Sequence, residues 1–256
     1  MSTTQLCRDA MRDHLGKPLR DPNVGLLLRR GMIDFEGTPA EGGGGQAKSA
    51  LLRRIGDVRP SLLYTNAYQR WKQTLSDTAR FASFEAKLTG RLYIGVNRDS
   101  ALETGLTVHH SYGMPMIPGS ALKGLARACA TSWLAGNPDA LAHLFGTDPE
   151  DNQAEDQAGG VVFHDAWWIP DENLKPFVPE ILTPHHPVYY SSHGETAATD
   201  FDNPIPAPQL AVQGRFLFVI EGDAGWTKLT TKILKHGLAQ RGIGGKTSSG
   251  YGFFEA

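Results

Sequence analysis

The chain has 256 residues, 25 Lys/Arg against 27 Asp/Glu, a formal net charge of −2 and a hydrophobic share of 40%. That length allows one large domain or two small ones with a packed core, and the composition excludes a disordered chain. The near-neutral charge excludes a protein that grips nucleic acid through bulk positive charge, and leaves a local basic site open.

The charge is unevenly spread. Residues 1–100 hold 16 Lys/Arg and 10 Asp/Glu, and residues 101–256 hold 9 and 17. Between Asp148 and Asp202, 12 acids meet one base, Lys175. After Trp226 the sign reverses, where Lys228, Lys232, Lys235, Arg241 and Lys246 meet only Glu255. A polyanion would therefore use the N-terminal region and the C-terminal segment. Cys7 and Cys129 are too few for a disulfide framework and fit a reducing, cytoplasmic setting. Residues 1–16 lack the apolar stretch of a secretory signal, and no apolar run approaches the ~18 residues of a membrane span, so no membrane partner is expected.

Taken in chain order, residues 1–30 are mixed and basic, and Gly37–Gly45 reads as a loop. Gln46–Asp77 reads as helical with a break at Pro60, and its Arg53, Arg54, Arg59, Arg70 and Lys72 read as a solvated face. Phe81–Val96 alternates like one long strand with a bulge at Gly90, and Thr107–Ile117 reads as a hairpin turning near Ser111–Gly113. Ser120 is the expected N-cap of a helix whose stripe is Leu122, Leu125, Ala126, Cys129 and Trp133; Gly136 and Pro138 end it, and a short helix over Pro138–Phe145 follows. Residues 147–160 read as a mobile acidic loop and Val161–Asp165 as a short buried strand. Residues 167–209 are proline-rich without a sustained period and read as a long irregular insert. A strand over Gly214–Glu221, a basic helix over Trp226–Arg241 with Leu229, Ile233, Leu234 and Leu238 inward, a glycine-rich loop over Gly242–Gly250 and a closing strand over Tyr251–Phe254 complete the chain. From Phe81 onward the order is strand, helix, strand, strand, helix, strand. That predicts an α+β, ferredoxin-like (RRM-like) βαββαβ core over 81–256, carrying the insert, with residues 1–80 as a mainly helical extension packed on it. RNA-recognition modules share this pattern.

Two glycine-containing turns carry chemistry. In IPGSALKG, Pro118, Gly119 and Ser120 turn a strand into a helix N-terminus, where free N–H groups and the helix dipole suit phosphate; Lys123 and Arg127, four apart, extend that face. An ordinary capped turn explains the same residues equally well. In RGIGGKTSSGYG, Gly242, Gly244 and Gly245 let the backbone approach a ligand, and Arg241, Lys246, Thr247, Ser248 and Ser249 supply cations and hydroxyls. GGKTSS is not a P-loop, because Gln240 stands where the pattern needs Gly and the loop follows a helix and precedes a strand. It is not a dinucleotide fingerprint either, because Thr247 stands at the third glycine position. The reading left is phosphate or sugar-backbone binding.

MPMIPGSALKGLARA and GIGGKTSSGYG resemble the two hallmark motifs of the RAMP superfamily of CRISPR-associated proteins. RLYIGVNRDSALETGLTVHHSYGMPMIPGSALKGLAR, GGVVFHDAWW and LTPHHPVYY narrow the resemblance to the sixth-subunit branch of the type III-B Cmr effector complexes, with Gly245 where that family more often has Ala. The resemblance spans roughly Phe81 to the C-terminus, with LLLRRG near Leu26–Gly31 matching more loosely. It implies a non-catalytic subunit at one end of an RNA–protein filament, with guide RNA, target RNA and other Cmr subunits as partners, and no cofactor, metal or small-molecule substrate. The family's glycine-rich loop contacts RNA backbone, which carries over to Gly242–Gly250. The Pro118–Ser120 turn matches the motif that packs helix on sheet.

The superfamily also holds metal-independent endoribonucleases, the alternative reading. Such cleavage needs a proton acceptor and a proton donor, and His109, His110 and Lys246 are the residue types it would use. Adjacent histidines on a strand point to opposite faces, which favours a structural pair. Asp165 beside Trp167 and Trp168 reads as structural, and His185, His186 and His193 lack the spacing of a zinc site.

Overall fold

The segment RFLFVIEG organises the molecule, because a run of apolar residues without alternation requires a strand covered on both faces. In the computed structural model, which describes residues 3–36, 45–96, 102–147, 157–183, 189, 191–199 and 206–255, this segment is β9 (Arg215–Gly222), buried from Phe216 to Ile220. Ahead of it come β1 (Thr3–Gln5), α1 (Asp9–Leu15), α2 (Val24–Arg30), β2 (Asp34–Glu36), α3 (Gly45–Gly56), α4 (Leu62–Thr74) and β3 (Phe81–Leu88). Then follow β4 (Met116–Ile117), α5 (Gly119–Trp133), α6 (Pro138–Phe145), β5 (Val161–Phe163), β6 (Ala166–Trp168), β7 (Phe177–Leu182) and β8 (Ala207–Val212). After β9 come α7 (Ala224–Gln240), a 3₁₀ turn over Thr247–Ser249 and β10 (Phe254–Glu255).

The main sheet runs β10-β3-β9-β6-β4, with β5 also on β9, and every pairing is antiparallel. Phe84 lies opposite Phe218, and their rings stack at 4.9 Å on the face covered by α5 and α7. Phe216, Phe218 and Ile220 enter that core with Leu122, Ala126, Ile233, Leu234 and Leu238. The opposite face of β9, Leu217 and Val219, is covered by Tyr68 and Trp71 of α4. β9 is thus sandwiched between helices, as its sequence requires.

Several expectations change here. The strand from Phe81 ends at Leu88; Leu92 and Tyr93 form single bridges to Val212 and Gly245 instead. The expected strand Val161–Asp165 stops at Phe163, breaks at His164 and Asp165, and resumes as β6. The expected hairpin over Thr107–Ile117 is held by a single bridge, Val108 to Pro115, and ends in the edge strand β4, and the expected short helix is α6 at Pro138–Phe145. The insert expected to be irregular over 167–209 contains β7 and the start of β8, paired from Phe177↔Val212 to Leu182↔Ala207. α3 packs on this hairpin, where its Gly56 abuts Pro179. Asn23 and Ser61 cap α2 and α4, accepting from Leu26 N and Tyr64 N. Of the expected loop over Gly37–Gly45, residues 37–44 lie outside the described residues and Gly45 begins α3; of the expected acidic loop over 147–160, residues 148–156 lie outside them.

The arginines of the helix pair are partly structural. Arg54 donates to the carbonyls of Leu15 and Lys17, and Arg59 to that of Glu172. Lys72 pairs with Glu85 at 2.8 Å.

Candidate nucleic-acid interface

The glycine-rich loop leaves α7 through a reversal that side chains resist. Gly242, Gly244, Gly250 and Gly252 all have positive φ, at 69°, 89°, 87° and 78°. Lys246 adopts the left-handed region as well, at φ 59°, which costs a side-chain-bearing residue roughly 1–2 kcal/mol. Gly245 N donates to Tyr93 O at 2.7 Å, Gly252 N to Arg91 O at 2.8 Å and Ile243 N to Gly252 O at 2.9 Å. These bonds fix both ends of the loop to the chain beyond β3. Between them, the N–H groups of Gly244, Lys246, Thr247 and Ser248 meet no acceptor among the described residues. Arg241, Gly244, Lys246, Ser248 and Ser249 are exposed, and Gly245 and Thr247 half-buried. Neither Arg241 nor Lys246 has a carboxylate partner among the described residues. The loop thus combines amides without a bonded acceptor, two cations and three hydroxyls, the groups that bind anions.

A polar cluster holds this loop, and the sequence did not point to its centre, Glu180 of β7. The hydroxyls of Tyr93 and Tyr251 both donate to Glu180 Oε2, at 2.8 and 3.2 Å, and Arg91 Nε lies 3.3 Å from Oε1. Burial, then the Glu180 carboxylate, pushes the Tyr93 hydroxyl pKa far up, so it stays a proton donor. Glu180→Ala is expected to cost about 2–3 kcal/mol, because it strands two hydroxyls and a guanidinium. Amide exchange at Gly245 and Gly252 should accelerate with it. Exchange at wild-type rates in those two amides would show that the cluster does not hold the loop.

The Pro118–Ser120 turn lies elsewhere. Pro118, not Ser120, is the N-cap of α5; Ser120 is exposed within the first turn. Since Pro118 offers no side-chain acceptor, Asp165 supplies it from the break between β5 and β6, accepting from Gly119 N at 2.7 Å. That gives Asp165 a structural role at the positive end of a helix. A Cβ on Gly119 would overlap the Phe163 carbonyl oxygen, so only glycine fits. Lys123, half-buried, lines an open groove of about 410 Å³ with Ser120, Thr147, Gln157 and Gly159. Arg127 is exposed one turn further along α5. Phe163, under Gly119, pairs with Ile220, whereas Leu88, at the glycine-loop end, donates to Gly214 O. Six residues of β9 separate the two levels, about 20 Å at the usual strand rise. The structure therefore keeps the two glycine motifs apart.

The histidines go separate ways. His109 packs against Tyr112 and Trp167 at 4.6 and 4.8 Å, and burial lowers its pKa. His110 is exposed, and its carbonyl accepts from Asn23 Nδ2 at 2.9 Å. No hydrogen bond among the described residues joins either to Lys246. His185 and His186 lie outside the described residues, and His193 is exposed. Among the described residues, no group of three or more His, Cys, Asp or Glu could hold a metal ion, and no helix is long and apolar enough to cross a membrane.

The chain is 26% identical over 295 aligned residues to the CRISPR system Cmr subunit Cmr6 of Pyrococcus furiosus, covering 89% of this chain and 82% of that one. Its structure is similar to a chain in the cryo-EM structure of the type III-B Cmr-beta complex bound to cognate target RNA, with a TM-score of 0.62 at 23% identity, covering 81% of this chain and 70% of that chain. The RAMP superfamily model matches residues 85–255, from within β3 through the glycine-rich loop to β10. The chain belongs to the RAMP superfamily.

Proposed function

We propose that this chain is a non-catalytic, RNA-holding subunit of a type III-B Cmr effector complex, gripping guide RNA backbone with Arg241–Ser249 while other surfaces meet neighbouring subunits. The observation that carries this reading is the loop itself. Four amides without an acceptor among the described residues, a left-handed Lys246 and an Arg241 with no carboxylate partner among them lie within one segment held at both ends. The similarity to Cmr6 and to a chain of the RNA-bound Cmr-beta complex supports the assembly. A ferredoxin-like core over 81–256 is supported by the order β10-β3-β9-β6, all antiparallel, and residues 1–80 form its extension. α4 covers the β9 face opposite α5 and α7, so RNA is not read from an open sheet there as in RNA-recognition modules. Gripping by the loop, Lys123 and Arg127 leaves that face to packing.

Replacing Arg241 and Lys246 together by Gln is expected to weaken guide-RNA retention in the assembled complex roughly tenfold. The slope of log affinity against log salt should fall by about 1.4, the value for two lost phosphate contacts to a single strand. Unchanged affinity and slope would remove the loop from the interface. In the same preparation, repeat RNA should remain uncut with or without divalent metal. Site-specific cleavage abolished by His109→Ala, His110→Ala or Lys246→Ala would instead establish the endoribonuclease.

A further inference from the structure

The outer face of α7 is basic without compensation. Lys228, Lys232 and Lys235 fall at i, i+4 and i+7, a spacing that places them on one face within about 10 Å of helix. No Asp or Glu occurs between Ala224 and Glu255, and none of the three lysines has a carboxylate partner among the described residues. Like charges at i, i+4 destabilise a helix, so the stripe works against the fold unless an anion covers it. Lys235 is held over the Phe84 ring at 4.9 Å, which marks one border of the stripe at the β3 edge.

The other border carries an aromatic. Trp133 was expected in the buried stripe of α5, yet it is 46% exposed. Its ring lies 4.9 Å from that of His236, which follows Lys232 by one turn of α7. An exposed Trp beside a row of lysines without carboxylate partners among the described residues combines a π face for a base with cations for phosphates, the two parts of a single-strand binding surface. A protein-docking face would instead centre on clustered apolar anchors. Here the lysines are interleaved with Gly225, Thr231 and Ala239. The stripe also points along α7 toward Arg241 and the glycine-rich loop, which begins where the helix ends.

We propose that the outer face of α7, with Lys228, Lys232 and Lys235 on phosphates and Trp133 stacked on a base, is a second single-stranded RNA contact that continues the track from the glycine-rich loop. The inference rests on the loop reading above. A single strand leaving Lys246 passes Arg241 and then descends the helix over the three lysines. Lys232 and His236 bring it beside Trp133.

Four variants of the full chain are compared in the assembled complex, using a single-stranded RNA oligonucleotide of repeat sequence and a salt titration. Lys228→Gln/Lys232→Gln/Lys235→Gln is expected to lower the salt slope by about 2, for three lost phosphate contacts. Trp133→Ala is expected to weaken binding roughly tenfold with little change in slope. Trp133→Phe should restore most of that loss, which a purely structural role for Trp133 does not predict for RNA affinity at unchanged melting temperature. A triple variant with the wild-type slope overturns the proposal while Arg241→Gln/Lys246→Gln still weakens binding. If both behave as wild type, the loop reading fails with it. If the triple variant binds RNA normally but is lost from the assembly, the stripe faces an acidic protein, and the proposal is likewise overturned.

Discussion

Gly252→Ala is expected to unfold the glycine-rich loop and to lower stability by at least roughly 3 kcal/mol. Gly252 has φ 78°, and a Cβ there would overlap the carbonyl oxygen of Ile243, a backbone atom that cannot move without breaking the Ile243 N to Gly252 O bond. Both the conformational penalty and the clash fall on a residue whose own N–H holds Arg91 O. Gly245 offers the matched control. Its Cβ would lie 3.4 Å from Val96 Cγ2 and 3.8 Å from Tyr93 O, ordinary contacts, and its φ is not in the left-handed region. Gly245→Ala should stay within about 0.5 kcal/mol, typical of an unstrained surface change. Denaturant unfolding of both variants checks the pair. Equal midpoints would show that the loop does not need its positive-φ geometry.

Trp168→Ala is expected to cost about 4–5 kcal/mol. The side chain is fully buried, and its Nε1 donates to Gln213 O at 2.8 Å. Large-to-small changes at buried aromatics cost ~3–5 kcal/mol through lost transfer energy and the cavity left behind. An orphaned carbonyl adds about 1 kcal/mol or more. The loss reaches further than one side chain. Gln213 links β8 to β9, donates to Lys175 O and accepts from Arg91, so the β7–β8 hairpin and the start of the glycine-loop support loosen together. The Trp168 carbonyl also accepts from Tyr64 OH, which fastens α4 to the sheet. A melting temperature lowered by only a degree or two would show that this hub is dispensable.

What was legible in the sequence follows from where the forces are local. The apolar run within Gly214–Glu221 implied a strand, and the spacing of Leu229, Ile233, Leu234 and Leu238 implied the inward face of α7; Phe216–Ile220, Ile233, Leu234 and Leu238 are buried and Leu229 is half-buried. The glycines of RGIGGKTSSGYG implied a loop, and Gly242, Gly244, Gly250 and Gly252 take positive φ there, a region only glycine enters freely. The β7–β8 hairpin was hidden because Pro176, Pro179 and Pro208 lie in or beside its strands. Proline is tolerated in such a small two-stranded sheet, where one edge of each strand needs no ladder bond, so its presence did not exclude a strand. Glu180 was invisible for a different reason. Its partners Tyr93 and Tyr251 lie 87 and 71 residues away in sequence, so only the fold assembles the cluster. Trp133 sits at correct helical spacing, but helical phase says nothing about how far the facing surface extends. The last turn of α5 carries Trp133 beside His236 rather than into the core. Ser120 followed Pro-Gly as a cap should, yet the acceptor came from Asp165, 46 residues from Gly119.

We propose that Arg241–Ser249 grips the guide RNA backbone within the assembled complex. The most direct test is photo-crosslinking of the assembled complex with site-specifically labelled guide RNA, followed by peptide mapping of this chain. Adducts concentrated in the peptides spanning Arg241–Gly250 are the predicted result. A chain crosslinked to guide RNA only through peptides remote from the loop, with 241–250 unmodified, would contradict it.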